Sequence, residues 1–348
     1  MKVHIMELSP GDRLQTDIFN NYGVFVLQKG ARLTKDAIVK LMQHGIDYVD
    51  IEPQSRDGNT SSEEWSSHPA QKVKPILDDA VDGFEQIFLE ALTHGTFDND
   101  KVDKLLKPMV NQLVDHKDVV SLLLLLGGDD NYAYHHSMQV GMLSYYIASW
   151  LGYSKEEAYQ AGKAGYLVDI GNCKVPQEIL SKPGKLTPEE FDLVKQHPAY
   201  GYEIILTSTG DEIAAQVALQ HHEREDGSGY PSGLPAKDIH PFAKIAAVAD
   251  VYSAMTTNRV YRSKQELLTV LRELNNLSFG KLSPEPTQAL IRHLLPNFIG
   301  KKVLLSSGEV GSIVMTNQTD FFRPLVQTDS RFIDLSKERE TAIEEVYL

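Results

Sequence analysis

Histidine and aspartate recur in this chain where a packed helix ordinarily carries apolar side chains. His136 lies in HSMQVGMLSYYIASWL. Val140, Leu143 and Ile147 share its face, so His136 points inward while adjacent His135 points about 100° away. Asp169 closes the apolar stretch AGKAGYLVDIGN, and Asp250 sits in KIAAVADVYSAM, where Ala243, Ala246 and Ala254 share its face. His197 follows a helix in LVKQHPAYG. His221 and His222 end another helix and lead through Glu223 into the glycine-rich EREDGSGYPSG. Taken singly, an inward histidine reads as a hydrogen-bonded core residue, and a buried aspartate as one held by hydrogen bonds. Four imidazoles and two carboxylates at helices or helix ends read differently. A buried carboxylate is costly unless paired or metal-bound. Imidazole and carboxylate together suit iron, manganese or zinc, and one carboxylate can bridge two ions.

These residues need rigid elements, and the spacing of apolar residues supplies them. From Pro75 to about residue 297 apolar residues recur every three or four positions, as in PILDDAVDGFEQIFLEAL, VDKLLKPMVNQLV and KQELLTVLREL. The expected fold is mainly α: a helical bundle with a small N-terminal α/β module and a short C-terminal β appendix. In the N-terminal module, residues 1–52, FNNYGV joins two short strands. Thr34 caps a helix running to about His44, and Ile46 to Ile51 forms a closing strand. Residues 53–74 are polar, aperiodic and carry Trp65, so they read as a flexible linker. In residues 298–348, KKVLLSSGEVGSIVM predicts two strands and FFRPLVQT a third.

Composition narrows the partners. Lys and Arg number 34 against 48 Asp and Glu, a net charge of −14. That disfavours duplex nucleic acid, whose phosphates need basic side chains, but not a small phosphate ligand in a local pocket. Cys173 is the single cysteine, so no intrachain disulfide forms, which fits a reducing, cytoplasmic compartment. No apolar run is long enough to span a bilayer and no signal peptide opens the chain. Membrane association is therefore not expected. The amphipathic helices between residues 75 and 117 could pair with a second copy or with a signalling partner.

The run HHEREDGSGYP, from His221 to Pro231, resembles the HHE-x-x-DGxGYP signature of the HD-GYP family, a branch of the HD phosphohydrolases. The His136-Ser137 pair, the VDIGNCKVPQEILSKPGKLTPEE stretch, the KQHP histidine and the ADVYSAMTTNRVYR helix follow in that family's order, over about residues 130–265. The resemblance implies a helical bundle with two or three divalent transition metals, and hydrolysis of cyclic di-GMP or a related cyclic dinucleotide in bacterial second-messenger signalling. Carried over by position, one metal falls to Asp169, His197, His221 and His222. The other falls to His136, Asp169 and Asp250, with iron or manganese favoured and zinc acceptable. Tyr230 matches a position near the substrate. Arg259 and Arg262 match positions that contact ligand phosphate or base, a role that suits guanidinium forks. Glu223 is expected to orient a ligand histidine through its ring N–H. Asp226, Gly227, Gly229 and Pro231 are expected to shape the loop.

The sequence departs from that pattern at identifiable atoms. The usual HD-x-GK reads Val168-Asp169-Ile170-Gly171-Asn172. Val168 cannot ligate a metal, and Asn172 brings neither the lysine's charge nor a usable proton. Tyr132 stands where some members place a third-metal acid, so two metals at most are expected. Ser253 replaces the second aspartate of the usual DVYDA. Three readings follow: a phosphodiesterase with attenuated turnover, a degenerate receptor that binds a cyclic dinucleotide without cleaving it, or an interaction protein with a structural metal.

Overall fold

The computed structural model describes residues 2–4, 8, 12–19, 25–34, 37, 41, 46, 48–51, 69–113, 119, 122–123, 132–256, 267–317 and 320–347. The chain divides into two compact units, Met1–Ser66 (with Tyr347) and Ser67–Val346 (with Leu348).

In the first unit, β1 (Lys2–His4) pairs antiparallel with β4 (Tyr48–Asp50), and β2 (Ile18–Phe19) with β3 (Phe25–Leu27). The turn between β2 and β3 lies outside the described residues. The expected closing strand, Ile46 to Ile51, contains β4, Tyr48–Asp50. Thr34 Oγ1 accepts the Ala37 N–H at 3.1 Å, the bond of a helix N-cap. Leu14, Leu33, Leu41 and Val49 fill its small core.

The second unit is helical, with a sheet at its end. Its helices include, among the described residues, α1 (Pro69–His94), α2 (Asn99–Leu113), α3 (Tyr132–Trp150), α4 (Lys155–Leu167), α5 (Gln177–Leu180), α6 (Pro188–Val194), α7 (His197–Thr209), α8 (Glu212–Gln220), α9 (Pro241–Thr256), α10 (Leu267–Leu277) and α11 (Pro284–Leu294). Helix α1 opens at Pro69, inside the stretch that composition assigned to the linker. Proline is well placed in a first turn, and Ala70, Gln71 and Lys72 favour helix. Residues 53–68, Trp65 among them, lie outside the described residues.

The central helices carry the chemistry. Residues 136–148 of α3 are all buried, and so is most of α9. A helix apolar all round belongs in the interior, so the polar residues on these two helices are embedded rather than presented to water. Short helices are fixed at their starts instead. Ser154 and Glu157 close a capping box on α4, and Thr187 and Glu190 another on α6.

Strands β5 (Lys302–Leu305), β6 (Val310–Met315), β7 (Leu325–Thr328), β8 (Phe332–Asp334) and β9 (Ile343–Tyr347) form one sheet in the order β8-β7-β6-β5-β9. The pairings β5–β6, β6–β7 and β7–β8 are antiparallel. Val303, Leu305, Ile313, Val326 and Ile343 belong to the same apolar core as the helices, so the sheet packs on the helical body. Among the described residues no helix is long and apolar enough to cross a membrane.

Candidate metal centre

Helices α7 and α8 form an antiparallel pair, turned at Gly210 (φ 67°) with Asp211 capping α8. The first residue of one helix therefore adjoins the residue just past the end of the other. Those residues are His197, which opens α7, and His221, the C-cap of α8; their Nε2 atoms lie 3.4 Å apart. Asp169 stands on the turn after α4, and its side chain makes no capping bond there. Gly171 lets that turn touch α7. A Cβ on Gly171 would lie 2.0 Å from the His197 carbonyl oxygen and 2.5 Å from the Gly201 nitrogen.

The six residues converge. Asp169 Oδ1 lies 3.3 Å from His197 Nε2 and 3.8 Å from His221 Nε2, while its Oδ2 lies 3.4 Å from His136 Nε2. Asp250 reaches His136 Nε2 at 3.1 Å with Oδ1 and His222 Nδ1 at 3.7 Å with Oδ2. Asp169, His197, His221 and His222 each offer one donor atom, all within 4.8 Å of one another.

The histidine tautomers decide what this cluster can hold. His197 Nδ1 lies 2.7 Å from the Val194 carbonyl and His221 Nδ1 2.7 Å from the Ala218 carbonyl. A carbonyl only accepts, so each Nδ1 carries a proton, and in the neutral, ligating form of the ring each Nε2 presents a lone pair. Two lone pairs then face each other beside the Asp169 carboxylate in a buried site. That arrangement repels unless a cation lies among the donors, and it is the donor chemistry of a divalent transition metal.

His136 is oriented by side chains instead. Its Nδ1 lies 2.9 Å from Ser253 Oγ, and Ser253 gives its own proton to Gln139 Oε1 at 2.7 Å. Nδ1–H therefore donates to the serine, and Nε2 turns toward Asp169 and Asp250. Gln139 and Ser253 escaped the sequence reading as a functional pair. The only signals were the departure at Ser253 and the three-residue spacings from His136 to Gln139 and from Asp250 to Ser253.

Electrostatics follow from the burial. Burial disfavours the His136 imidazolium, but hydrogen bonds to Asp169 and Asp250 outweigh it and raise the pKa to about 9. Burial likewise pushes the Asp169 and Asp250 carboxyls up, and their histidine partners more than reverse it, holding both well below the usual range. Burial, then the nearby His197, lowers His221 to about 4, and burial with His221 holds His222 well below its ordinary value. Both stay neutral, as ligands must be.

Residues 125–279 match the family profile described as HD domain. A cyclic di-GMP phosphodiesterase of Pseudomonas aeruginosa is 32% identical over 242 residues, covering 69% of this chain and 58% of the relative. A cyclic di-GMP phosphodiesterase of Thermotoga maritima is 41% identical over 165 residues, covering 47% of this chain and 45% of the relative. This chain is an HD-GYP family protein. It spans about half the length of these curated relatives. An HDG"Y"P protein from Bdellovibrio bacteriovorus shares the fold, with a TM-score of 0.54, 17% identity, and coverage of 83% of this chain and 97% of that chain. HD-domain phosphohydrolases are metal-dependent, and the histidine–aspartate cluster could bind a metal.

The GYP loop of this HD-GYP protein closes over the cluster. Tyr230 lies against His222, ring centroids 4.6 Å apart, with Phe191 edge-on at 6.2 Å. Burial raises the Tyr230 pKa, so its hydroxyl stays protonated. The Tyr230-Pro231 peptide bond is cis and Gly227 has φ 75°. Gly229 packs on the 221/222 doublet: a Cβ there would lie 2.4 Å from Arg224 N and 2.5 Å from the His222 carbonyl oxygen. Asp226 Oδ1 accepts from the Ser228 N–H and hydroxyl, tightening the turn.

Glu223 corrects the sequence expectation. It does not orient a ligand ring; its two oxygens accept the N–H groups of Ser232 (2.7 Å) and Leu234 (2.9 Å). Backbone carbonyls already orient His197 and His221, whereas the loop's partly buried N–H groups needed an acceptor. Arg224, which the sequence reading passed over, donates to the carbonyls of His221 and Glu223 and lies near enough to Tyr230 to act on its charge. Val168 is fully buried among apolar side chains, and Asn172 is half-buried. Arg259 and Arg262 lie outside the described residues.

Proposed function

We propose that this chain is a metal-dependent phosphodiesterase acting on cyclic di-GMP or a related cyclic dinucleotide, with turnover attenuated by one weakened ligand set. The observation that carries the reading is the convergence of the His197 and His221 Nε2 atoms, 3.4 Å apart, beside the Asp169 carboxylate. Asp169, His197, His221 and His222 would hold one divalent cation. His136, Asp169 and Asp250 would hold the second, with Asp169 shared. Iron or manganese suits the set best, and zinc is compatible. Bound there, the cations supply Lewis acidity toward water and toward a phosphodiester oxygen.

The chain's own residues set the rest. Val194, Ala218 and Ser253 fix the tautomers, so no ring rotates to compete for the ligand positions. Tyr230 offers a flat face and a protonated hydroxyl at the mouth, suited to a nucleobase or a phosphate oxygen. Glu223 anchors the loop that carries it. Arg259 and Arg262 are assigned to ligand phosphate or base by their sequence positions. Asn172 supplies no positive charge, and among the described residues the ion pairs of Asp169 and Asp250 are with histidines. Transition-state charge therefore has less support than a lysine would give. Residues 1–52 and 298–348 are proposed as accessory modules flanking the helical domain.

The buried Val168 favours a second reading, a receptor that binds without cleavage. Purified protein assayed for metal content and mixed with cyclic di-GMP and Mn²⁺, or anaerobic Fe²⁺, separates the two. Linear product that disappears in His221→Ala supports the enzyme. Tight binding without product in every metal would overturn it in favour of the receptor.

A further inference from the structure

A second cleft, of about 270 Å³, opens between α10 and the C-terminal sheet segment, and it shares no lining residue with the histidine cluster. Arg272, Asn275 and Asn276 come from α10 at i, i+3 and i+4, hence from one face. Asp320, Phe322 and Arg323 face them from the segment before β7.

The two arginines are cations without acids. Arg323 is held by neutral acceptors: its Nη1 donates to the carbonyls of Leu335 (2.9 Å) and Thr341 (3.3 Å), and its Nη2 to that of Arg339 (3.1 Å). The Nε–H and the second Nη2 hydrogen are not consumed by these bonds. Arg272 lies over the Phe322 ring, 5.9 Å from its centroid. Among the described residues neither guanidinium has a carboxylate within ion-pair reach, Asp320 included. Burial, and then the charge of Arg323, make the cationic form of Arg272 less favourable. Two half-buried guanidiniums facing one cleft repel each other in a medium that screens them poorly. An anion between them removes that penalty, and planar forks suit phosphate oxygens.

The remaining lining chooses the rest of the ligand. Phe322 gives a flat apolar wall. The Asn275 and Asn276 amides both donate and accept, and Asp320 accepts only. A guanine edge presents two adjacent donors, N1–H and the 2-amino group, which match a carboxylate; an adenine edge does not. The volume lies below the roughly 300 Å³ at which sites for larger ligands begin, which favours a mononucleotide over a cyclic dinucleotide.

We propose that this cleft binds a guanosine monophosphate, its phosphate held by Arg272 and Arg323 and its base edge by Asp320 and the two asparagines. The site is independent of the metal cluster. If the reaction proposed above holds and both phosphodiesters of cyclic di-GMP are cleaved, the same ligand is its end product, and the cleft reports product back to the enzyme.

Titration calorimetry on the full chain, stripped of metal by a chelator so that no turnover intervenes, tests this with 5′-GMP, 5′-AMP and inorganic phosphate. Expected is one GMP site, weakened at least about tenfold in Arg272→Gln and Arg272→Ala, unchanged in Tyr230→Ala, and no longer preferring GMP over AMP in Asp320→Asn. Circular dichroism establishes that each variant is folded, and the half-exposed Arg272 makes the Gln variant a mild change. The proposal is overturned if wild type binds no GMP at millimolar concentration, if the Arg272 variants bind as tightly as wild type, or if Tyr230→Ala abolishes binding. Phosphate binding as tight as GMP overturns the nucleotide assignment. None of these results depends on phosphodiesterase activity, which can fail separately.

Discussion

Replacing Ser253 by alanine should weaken one metal site and spare the other. In the native chain Ser253 Oγ accepts from His136 Nδ1 at 2.9 Å and donates to Gln139 Oε1 at 2.7 Å. Alanine removes both bonds at once, from a region where His136 is 4% exposed and Gln139 3%. A buried polar group deprived of its partner costs about 1–3 kcal/mol, and the imidazole loses the contact that points Nε2 at Asp169 and Asp250. Groups that orient a ligand histidine typically contribute about 10–100-fold in metal affinity, or about 1.4–2.7 kcal/mol. The loss should fall on the His136–Asp169–Asp250 set alone, because His197 and His221 are oriented by the backbone carbonyls of Val194 and Ala218. Chelator-competition titration with Mn²⁺, followed by electron paramagnetic resonance, resolves a tighter and a weaker ion. Only the weaker should shift. If both affinities fall together, or neither moves, the serine relay does not orient His136. Ser253→Asp should act oppositely, since a carboxylate partner raises imidazole basicity.

Further outcomes follow from the same geometry. Val168→His with Asn172→Lys should raise cyclic di-GMP turnover by about tenfold or more if the natural site is attenuated at these positions; an unchanged steady-state rate counts against that explanation. Gly171→Ala would drive a Cβ to 2.0 Å from the His197 carbonyl oxygen. A thermal melt should show destabilisation of about 1–3 kcal/mol, together with loss of the metal held by Asp169 and His197. In the metal-free protein, His136 has a pKa of about 9 against an ordinary 6.5. Its contribution, on the order of 3 kcal/mol, is complete below pH 6.5 and disappears as pH rises through 9. Chelated wild type should therefore lose melting temperature across that window, and His136→Gln should not. Toward acid, His221, depressed to about 4, opposes stability increasingly from pH 6.5 down to 4, because the unfolded chain takes up the proton and the folded one does not.

The sequence exposed the cluster because its members break local patterns. An aspartate inside KIAAVADVYSAM and a histidine on the apolar face of HSMQVGMLSYYIASWL have no local explanation, so a shared partner could be read without coordinates. Glu223 was misassigned for the complementary reason. Adjacency to His222 says nothing about where a carboxylate points, and the backbone N–H donors that Glu223 accepts lay nine and eleven residues ahead. The Gln139–Ser253 contact spans 114 positions and leaves no local trace. Strands β8 and β9 were missed because three residues, FID, and the mixed run IEEVY lack a clean alternation; their partners, rather than their own pattern, make them strands. The start of α1 at Pro69 was hidden by polar composition, which marks a linker and the first turn of a helix alike.

The helix pair α7–α8 supplies His197 and the 221/222 doublet from a single short stretch of chain, whereas His136 and Asp250 are brought together from helices far apart in sequence. One half of the centre is thus assembled as soon as a local hairpin docks on Asp169, and the other only when the whole helical body has closed. An ion captured early would act as a clasp between a helix entrance and a helix exit. On its removal, amide hydrogen exchange should quicken together at the start of α7 and the end of α8, while α3 and α9 remain protected.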